Sequence, residues 1–186
     1  MLKVLFVPLN RNYVFDYIDD WKNIVADSLS RAGLSSEILI WPSTIKPSMK
    51  CFNWARKQYL APCIIENMGN MFYDYLNEYF IVGIGYIDGY DYGLNFVFGE
   101  ASPINRIAVV FTRRLDPRFY GEEPNYNLYL ERVAKEIVHE LGHLLGLSHC
   151  KRRTCVMSFS NSVYEVDAKT RFFCETCSNT LRKLNV

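Results

Sequence analysis

Apolar residues along the chain alternate between short unbroken runs and runs at helical spacing, and this alternation predicts the architecture. Leu2–Val7 (LKVLFV) has the length of a buried strand, and Pro8 and Asn10 close it. Asp16–Arg31 puts Ile18, Trp21, Ile24, Val25 and Leu29 on one helical face, with Gly33 as the stop. Ser36–Trp41 predicts a second strand and Pro42–Pro47 a loop. Trp54–Tyr79 reads as a mostly helical segment interrupted at Pro62, with Ile64, Ile65, Met68, Met71, Phe72, Tyr75 and Leu76 facing inward. Strands follow at Phe80–Ile87, Leu94–Phe98 and Arg106–Thr112. A polar loop, Arg113–Pro124, leads into a helix that starts near Asn127 and carries an apolar stripe of Leu130, Val133, Ala134, Ile137, Val138, Leu141, Leu144 and Leu145. Little regular structure is expected beyond Cys155 until a final helix, Glu175–Leu184.

Strands alternating with helices imply an α/β (α+β) fold whose sheet is mixed, mostly parallel and five-stranded. Leu94–Phe98 is the exception, because the Asp88-Gly89 turn and the tight spacing suit antiparallel pairing and are too short for a parallel crossover.

The chain of 186 residues, 49% hydrophobic and 15% aromatic, suffices for one well-buried domain and is short for two. A net charge of +1 with evenly scattered Lys and Arg argues against nucleic acid as the main partner, and Lys151–Arg153 reads as a solvated loop tip. No apolar run is long enough for a membrane helix. The N-terminal MLKVLFVPLNR is too short in apolar length for a signal peptide, so a cytoplasmic protein is expected, most simply a monomer.

The chemistry concentrates in VHELGHLLGLSHC, Val138 to Cys150. All three histidines of the chain stand here in the arrangement HExxHxxGxxH: His139, His143 and His149, with Glu140 and Gly146 between them. Positions four apart on a helix differ by about 40° in direction and roughly 6 Å in height, so His139 and His143 aim at one ion. On a continuous helix a third ligand ten residues beyond His139 would lie about 15 Å away, too far for zinc ligands at about 2.0–2.1 Å. The helix must therefore end, and Gly146 is the residue that tolerates the left-handed turn returning His149 to the metal. Three ligands leave a position open for water, the catalytic pattern of zinc, and Glu140 is the natural general base.

Cys150 and Cys155 bracket a short loop, and Cys174 and Cys177 form a CxxC pair. This layout suits a tetrahedral thiolate zinc site; two disulfides or an iron–sulfur cluster are the alternatives. The lower part, Lys151–Phe173, looks too poor in apolar residues for its own core, for which a metal cross-link is a sensible substitute. Cys51 and Cys63 lack any CxxC spacing and are expected to be buried free thiols.

HExxHxxGxxH followed by a cysteine, then Cys155-Val156-Met157, then a CxxC pair resembles the archaemetzincins, a family of metzincin-clan zinc metallopeptidases. The resemblance implies a metzincin-like fold: an upper subdomain, residues 1–147, above an irregular zinc-stapled lower subdomain, residues 148–186. It implies two zinc ions per chain. His139, His143 and His149 would hold the catalytic ion with Glu140 as base, and Cys150, Cys155, Cys174 and Cys177 the structural one. Met157 would be the methionine beneath the catalytic metal. Leu94, Asn95, Phe96, Val97 and Phe98 would form the antiparallel upper rim of the substrate cleft. The expected activity is hydrolysis of peptide bonds in a peptide or protein substrate. Several metzincin families carry a tyrosine two residues after the methionine where this chain has Phe159, which leaves the oxyanion stabiliser unassigned beyond the metal, with Tyr164 as a candidate. A weakly active or inactive peptide-binding protein with the same cleft is the rival expectation.

Overall fold

The computed structural model describes residues 1–10 and 14–183. Its N-terminal segment is built as the apolar pattern predicts: β1 (Leu2–Pro8), α1 (Val14–Arg31) and β2 (Ser36–Ile40). The next segment departs from expectation. Where Trp54–Tyr79 reads as helix, the chain makes a small hairpin, β3 (Phe52–Asn53) and β4 (Gln58–Leu60), and only then α2 (Ala61–Met71). The physical reason is local. The Asn53 carboxamide accepts from the amides of Ala55 and Arg56 and bends the chain, Lys57 takes a positive φ of 55°, and Pro62 sits in the first helical turn, where its missing N–H costs nothing.

Then come β5 (Phe80–Gly85), β6 (Gly89–Tyr90), β7 (Gly99–Ser102) and β8 (Ile107–Phe111). The main sheet has five strands in the order β2-β1-β5-β8-β7; the first four are parallel and β7 runs antiparallel to β8. The antiparallel strand is thus Gly99–Ser102, not Leu94–Phe98. That segment makes a single bridge, Val97 to Gly89, with bends at Asn95 and Phe98 that keep it out of the sheet. An aromatic NFVF looks more strand-like than GEAS, but the small residues decide. Gly99 and Ala101 share the Val110 and Ala108 face, and at Gly99 a helix packs too closely for any side chain. A second sheet, β3-β4-β6, stands beside the first.

The zinc-motif helix, α3 (Tyr126–Leu144), is followed by α4 (Val163–Ala168) and α5 (Glu175–Lys183); Leu184 of the expected final helix lies outside the described residues. The short α4 was not expected, although Ser162 and Glu165 carry the signal for it. The Ser162 hydroxyl accepts from the Glu165 amide, and the Glu165 carboxylate accepts from the Asn161 amide. Helices α1 and α3 cover the sheet face of Val4, Phe6, Val82, Ile84, Ala108 and Val110, and α2 covers the opposite face of Leu5, Val7, Ile81, Val109 and Phe111.

The lower part builds no core of its own. Val156, Met157, Val163, Val166, Phe173 and Leu181 join the α3 cluster. A buried polar seam adds to this: Arg132 forks onto Asp167 at 2.7 and 2.8 Å, the Lys135 ammonium caps the α4 carbonyls of Val166 and Asp167, and Lys169 pairs with Glu136 at 2.9 Å.

Cys51 and Cys63 form a disulfide rather than remaining free thiols. The turn before β3 brings Cys51 against the first turn of α2, an approach that chain separation alone does not reveal. Closing a loop of 12 residues is worth about 3 kcal/mol in the chain-entropy account. Replacing Cys63 with Ser is therefore expected to lower the melting temperature by about 6–12 °C. Equal melting of this variant and the oxidised protein would show that the bond contributes nothing.

Candidate active site

The site grows from the way α3 ends. Asn125 caps the helix start on the Leu128 amide, and the whole predicted stripe from Leu130 to Leu145 is buried, which anchors the helix along its length. At the other end Gly146 takes φ of 88°, its amide donates to His143 O at 2.9 Å, and the Leu147 amide donates to Gly142 O at 2.9 Å. This pair of bonds around a left-handed glycine satisfies the last carbonyls and reverses the chain, so that His149 returns to the helix.

The three imidazoles then converge, with one nitrogen from each within 4.8 Å of the others. Nδ1 of His139 lies 2.7 Å from Val156 O, and Nδ1 of His143 lies 2.8 Å from Leu147 O. A carbonyl only accepts, so both Nδ1 atoms donate and both Nε2 atoms carry lone pairs. Those two Nε2 atoms are 3.1 Å apart, near the roughly 3.3 Å that a shared tetrahedral zinc with bonds of about 2.05 Å imposes. The donor set fits the ion. Burial pushes the pKa of His139 well below 6.5, with Lys169 and His143 adding to it, and burial lowers His143 and His149 as well. Neutral imidazole is the form that binds metal. A proton NMR titration of the metal-free protein is expected to show all three histidines titrating below 6.5, His139 lowest; a normal His139 titration would contradict the buried geometry.

Glu140 is 4% exposed. Its carboxylate lies against the backbone of Gly99, where an added Cβ would come within 2.5 Å of Oε1. Gly99 is therefore a site residue that the motif does not disclose, and only the approach of β7 to α3 reveals it. Burial, with help from Glu136 and Glu100, raises the Glu140 pKa well above its ordinary value. A divalent cation held by the three histidines would favour the charged form. Met157 packs under the helix at Gly142, where an added Cβ would clash with its sulfur, and its carbonyl accepts from the Cys150 amide at 2.8 Å. Lys169, also absent from the sequence reading, crosses beneath the site and joins Glu136 to Ser158 O at 3.3 Å.

The four cysteines Cys150, Cys155, Cys174 and Cys177 gather into a second cluster whose sulfurs all lie within 4.8 Å of one another. Cys150 and Cys174 are 3.8 Å apart, as are Cys155 and Cys177. A disulfide requires about 2.05 Å, whereas the edge of a zinc–thiolate tetrahedron with bonds of about 2.3 Å is about 3.8 Å. Backbone amides of Arg152 and Cys174 donate to the sulfurs of Cys150 and Cys155. Burial pushes the Cys174 thiol up, but the Cys177 amide and the neighbouring thiols outweigh it and bring the value to about 7.

The histidines and Glu140 open onto a cleft of about 840 Å³. Leu94, Asn95, Phe96, Val97, Phe98 and Gly99 form one wall, and Gly146, Leu147, Ser148, Phe159, Ser160 and Asn161 line it near His149. Phe159 stacks edge-on against His149 with ring centroids 4.9 Å apart. Tyr164 is 72% exposed and does not line the cleft, so it is not the oxyanion donor the sequence suggested.

A mostly parallel sheet with an antiparallel edge and a helix ending at a left-handed glycine thus place a three-histidine cluster suited to one zinc ion beside an open cleft. The sequence pattern of peptidase family M54 matches residues 3–183. An archaemetzincin from Saccharolobus solfataricus is 39% identical over 186 residues, covering 99% of this chain and 95% of that protein. The crystal structure of archaemetzincin from Methanopyrus kandleri superposes with a TM-score of 0.80 at 34% identity, over 99% of this chain and 95% of that one. A zinc-dependent peptidase from Methanocorpusculum labreanum superposes with a TM-score of 0.85 at 25% identity, over 97% of this chain and all of that one. The chain belongs to the archaemetzincins, peptidase family M54.

Proposed function

We propose that the protein hydrolyses peptide bonds with Glu140 as general base and His139, His143 and His149 as ligands of one zinc ion, and that Cys150, Cys155, Cys174 and Cys177 hold a second, structural zinc. The observation that carries this is the buried Glu140 carboxylate, seated against Gly99 beside three lone-pair imidazole nitrogens and facing a peptide-sized cleft. When bound, zinc supplies Lewis acidity, making water a nucleophile at neutral pH and polarising the scissile carbonyl. Glu140 takes the proton of the attacking water as the new C–O bond forms, and passes it to the amide nitrogen as the C–N bond breaks. Val156 O and Leu147 O keep the two helix histidines in the tautomer and orientation this requires. Met157 and Gly146 are supporting residues, one packing under the helix and the other turning it.

Leu94 to Phe98 is the rim along which the substrate lies. Phe159 brings no hydrogen-bond donor to the reacting carbonyl, and this favours slow turnover. The chain is one domain, residues 1–147 above and 148–186 below, and a monomer is the simplest working form, since the three histidines and Glu140 stand on one chain. The four-thiol cluster needs reducing conditions until its metal is loaded, which supports a cytoplasmic location; the Cys51–Cys63 disulfide fits there only in organisms that keep such bonds inside the cell. No described helix is long and apolar enough to cross a membrane. Elemental analysis without chelators should find two zinc ions per chain, and a broad peptide library should be cleaved. Retained zinc with no cleavage of any peptide would replace this reading with that of a peptide-binding protein.

A further inference from the structure

The rim of the cleft has little support of its own. Between Asp91 and Phe98 its backbone is tied locally, Leu94 N to Asp91 O at 3.1 Å, and reaches the neighbouring strands through Val97 N to Gly89 O at 3.0 Å and Phe111 N to Phe98 O at 2.8 Å. The middle of the segment is held from outside. One Arg56 Nη donates to Leu94 O at 2.8 Å and to Asn95 O at 2.9 Å, and Gln58 Nε2 donates to Asn95 O at 3.0 Å. The two side chains are locked to each other, Arg56 Nε donating to Gln58 Oε1 at 2.9 Å, and the guanidinium lies over the Tyr90 ring at 4.3 Å.

The hairpin that carries them is itself fixed. Cys51 just before β3 is bonded to Cys63 in α2, the Asn67 side-chain Nδ2 donates to Cys63 O at 2.7 Å, and the Tyr59 backbone amide donates to Asp88 O at 2.9 Å. On the other side of the rim Phe96 lies under the Arg114 guanidinium at 4.5 Å, and Arg114 forks onto Asp88 at 2.7 and 2.8 Å.

We propose that the tip of the β3–β4 hairpin is a positioning element of the substrate cleft: Arg56, braced by Gln58, holds the carbonyls of Leu94 and Asn95 and so sets the line along which an extended peptide is bound. The inference rests on the reading of the cleft as a peptide site. Arg56 touches neither the metal ligands nor Glu140, so it acts through the rim. A charge-assisted hydrogen bond shared by two carbonyls, with cation–π support, is strong enough to hold a segment that lacks a continuous ladder. Arg56 is exposed and its replacement removes no core side chain; the Gln58 Oε1 that loses its donor becomes open to water where the guanidinium stood, so the fold is expected to survive, as a melting curve of the variant checks.

The test compares wild type, Arg56→Ala and Arg56→Lys in the zinc-loaded full chain by amide hydrogen exchange and by binding of two probes, acetohydroxamic acid and a hydroxamate on an extended peptide. In Arg56→Ala, amides of the 94–97 segment should exchange about tenfold faster while those of α3 are unchanged, and the peptide hydroxamate should bind about tenfold more weakly while acetohydroxamic acid binds as before. Arg56→Lys should recover part of both, since an ammonium can serve one carbonyl but not the whole arrangement. Unchanged exchange in the rim, or faster exchange with unchanged affinity for the long probe, overturns the proposal. Equal weakening of both probes or loss of zinc overturns it in favour of a general structural role. The wild type alone reports on the underlying reading: if it binds the peptide hydroxamate no more tightly than acetohydroxamic acid, the cleft is not a peptide site and both fall.

Discussion

Glu140→Ala is expected to keep its zinc and to lose peptide cleavage by about 10²–10⁴-fold, the usual worth of general-base assistance. The ligands survive because His139 and His143 are oriented by Val156 O and Leu147 O rather than by Glu140. Glu136, the nearest acid on the same face of α3, does not replace the base, since it is committed to Lys169 at 2.9 Å. Removing a buried carboxylate that has no paired cation of its own relieves a desolvation cost, so the variant should melt no lower than wild type. Kinetics on a peptide that wild type cleaves, metal analysis and melting curves check the three parts. Equal cleavage by the zinc-loaded variant and wild type would remove Glu140 from the mechanism.

The second large effect is expected at the cysteine cluster. Cys177→Ser should bind one zinc per chain instead of two and melt lower by on the order of 10–20 °C. Structural thiolate zinc contributes to folding free energy directly, by about 10 kcal/mol or more in isolated sites, and here part of that role is shared with the packing of Val163, Val166, Phe173 and Leu181 on α3. The damage should reach the catalytic site. His149 precedes Cys150, Val156 O orients His139 one residue after Cys155, and the Cys150 amide is bonded to Met157 O. Zinc stoichiometry and melting curves measured with and without reductant check this. Melting identical to wild type under both conditions would show that the cluster is not a metal staple.

The legible part of this protein was local. A glycine at 146 that must end a helix, a stripe that must bury it and two imidazoles four residues apart are set by backbone geometry within some twenty residues, and the structure brings the three histidines together as that geometry requires. The same holds for the first strand and helix, where one apolar period dominates.

What the chain did not disclose locally depended on approach between distant segments. Gly99–Ser102 became the edge strand because a small residue there lets β7 come close to Glu140, while the more strand-like Leu94–Phe98 was left as a rim held by Arg56. Cys51 met Cys63 because a carboxamide at Asn53 turned a helical-looking stretch into a hairpin. Lys169 reached Glu136 because the lower part docks on α3 through buried charges as well as apolar contacts. Sequence by itself determined the elements whose apolar faces repeat at one period and the ligand groups whose spacing matches a helix and its cap. Tertiary structure decided which strand forms the cleft edge, which thiols pair and what supports the base, because those depend on how closely two backbones can pack, a quantity that no single segment contains.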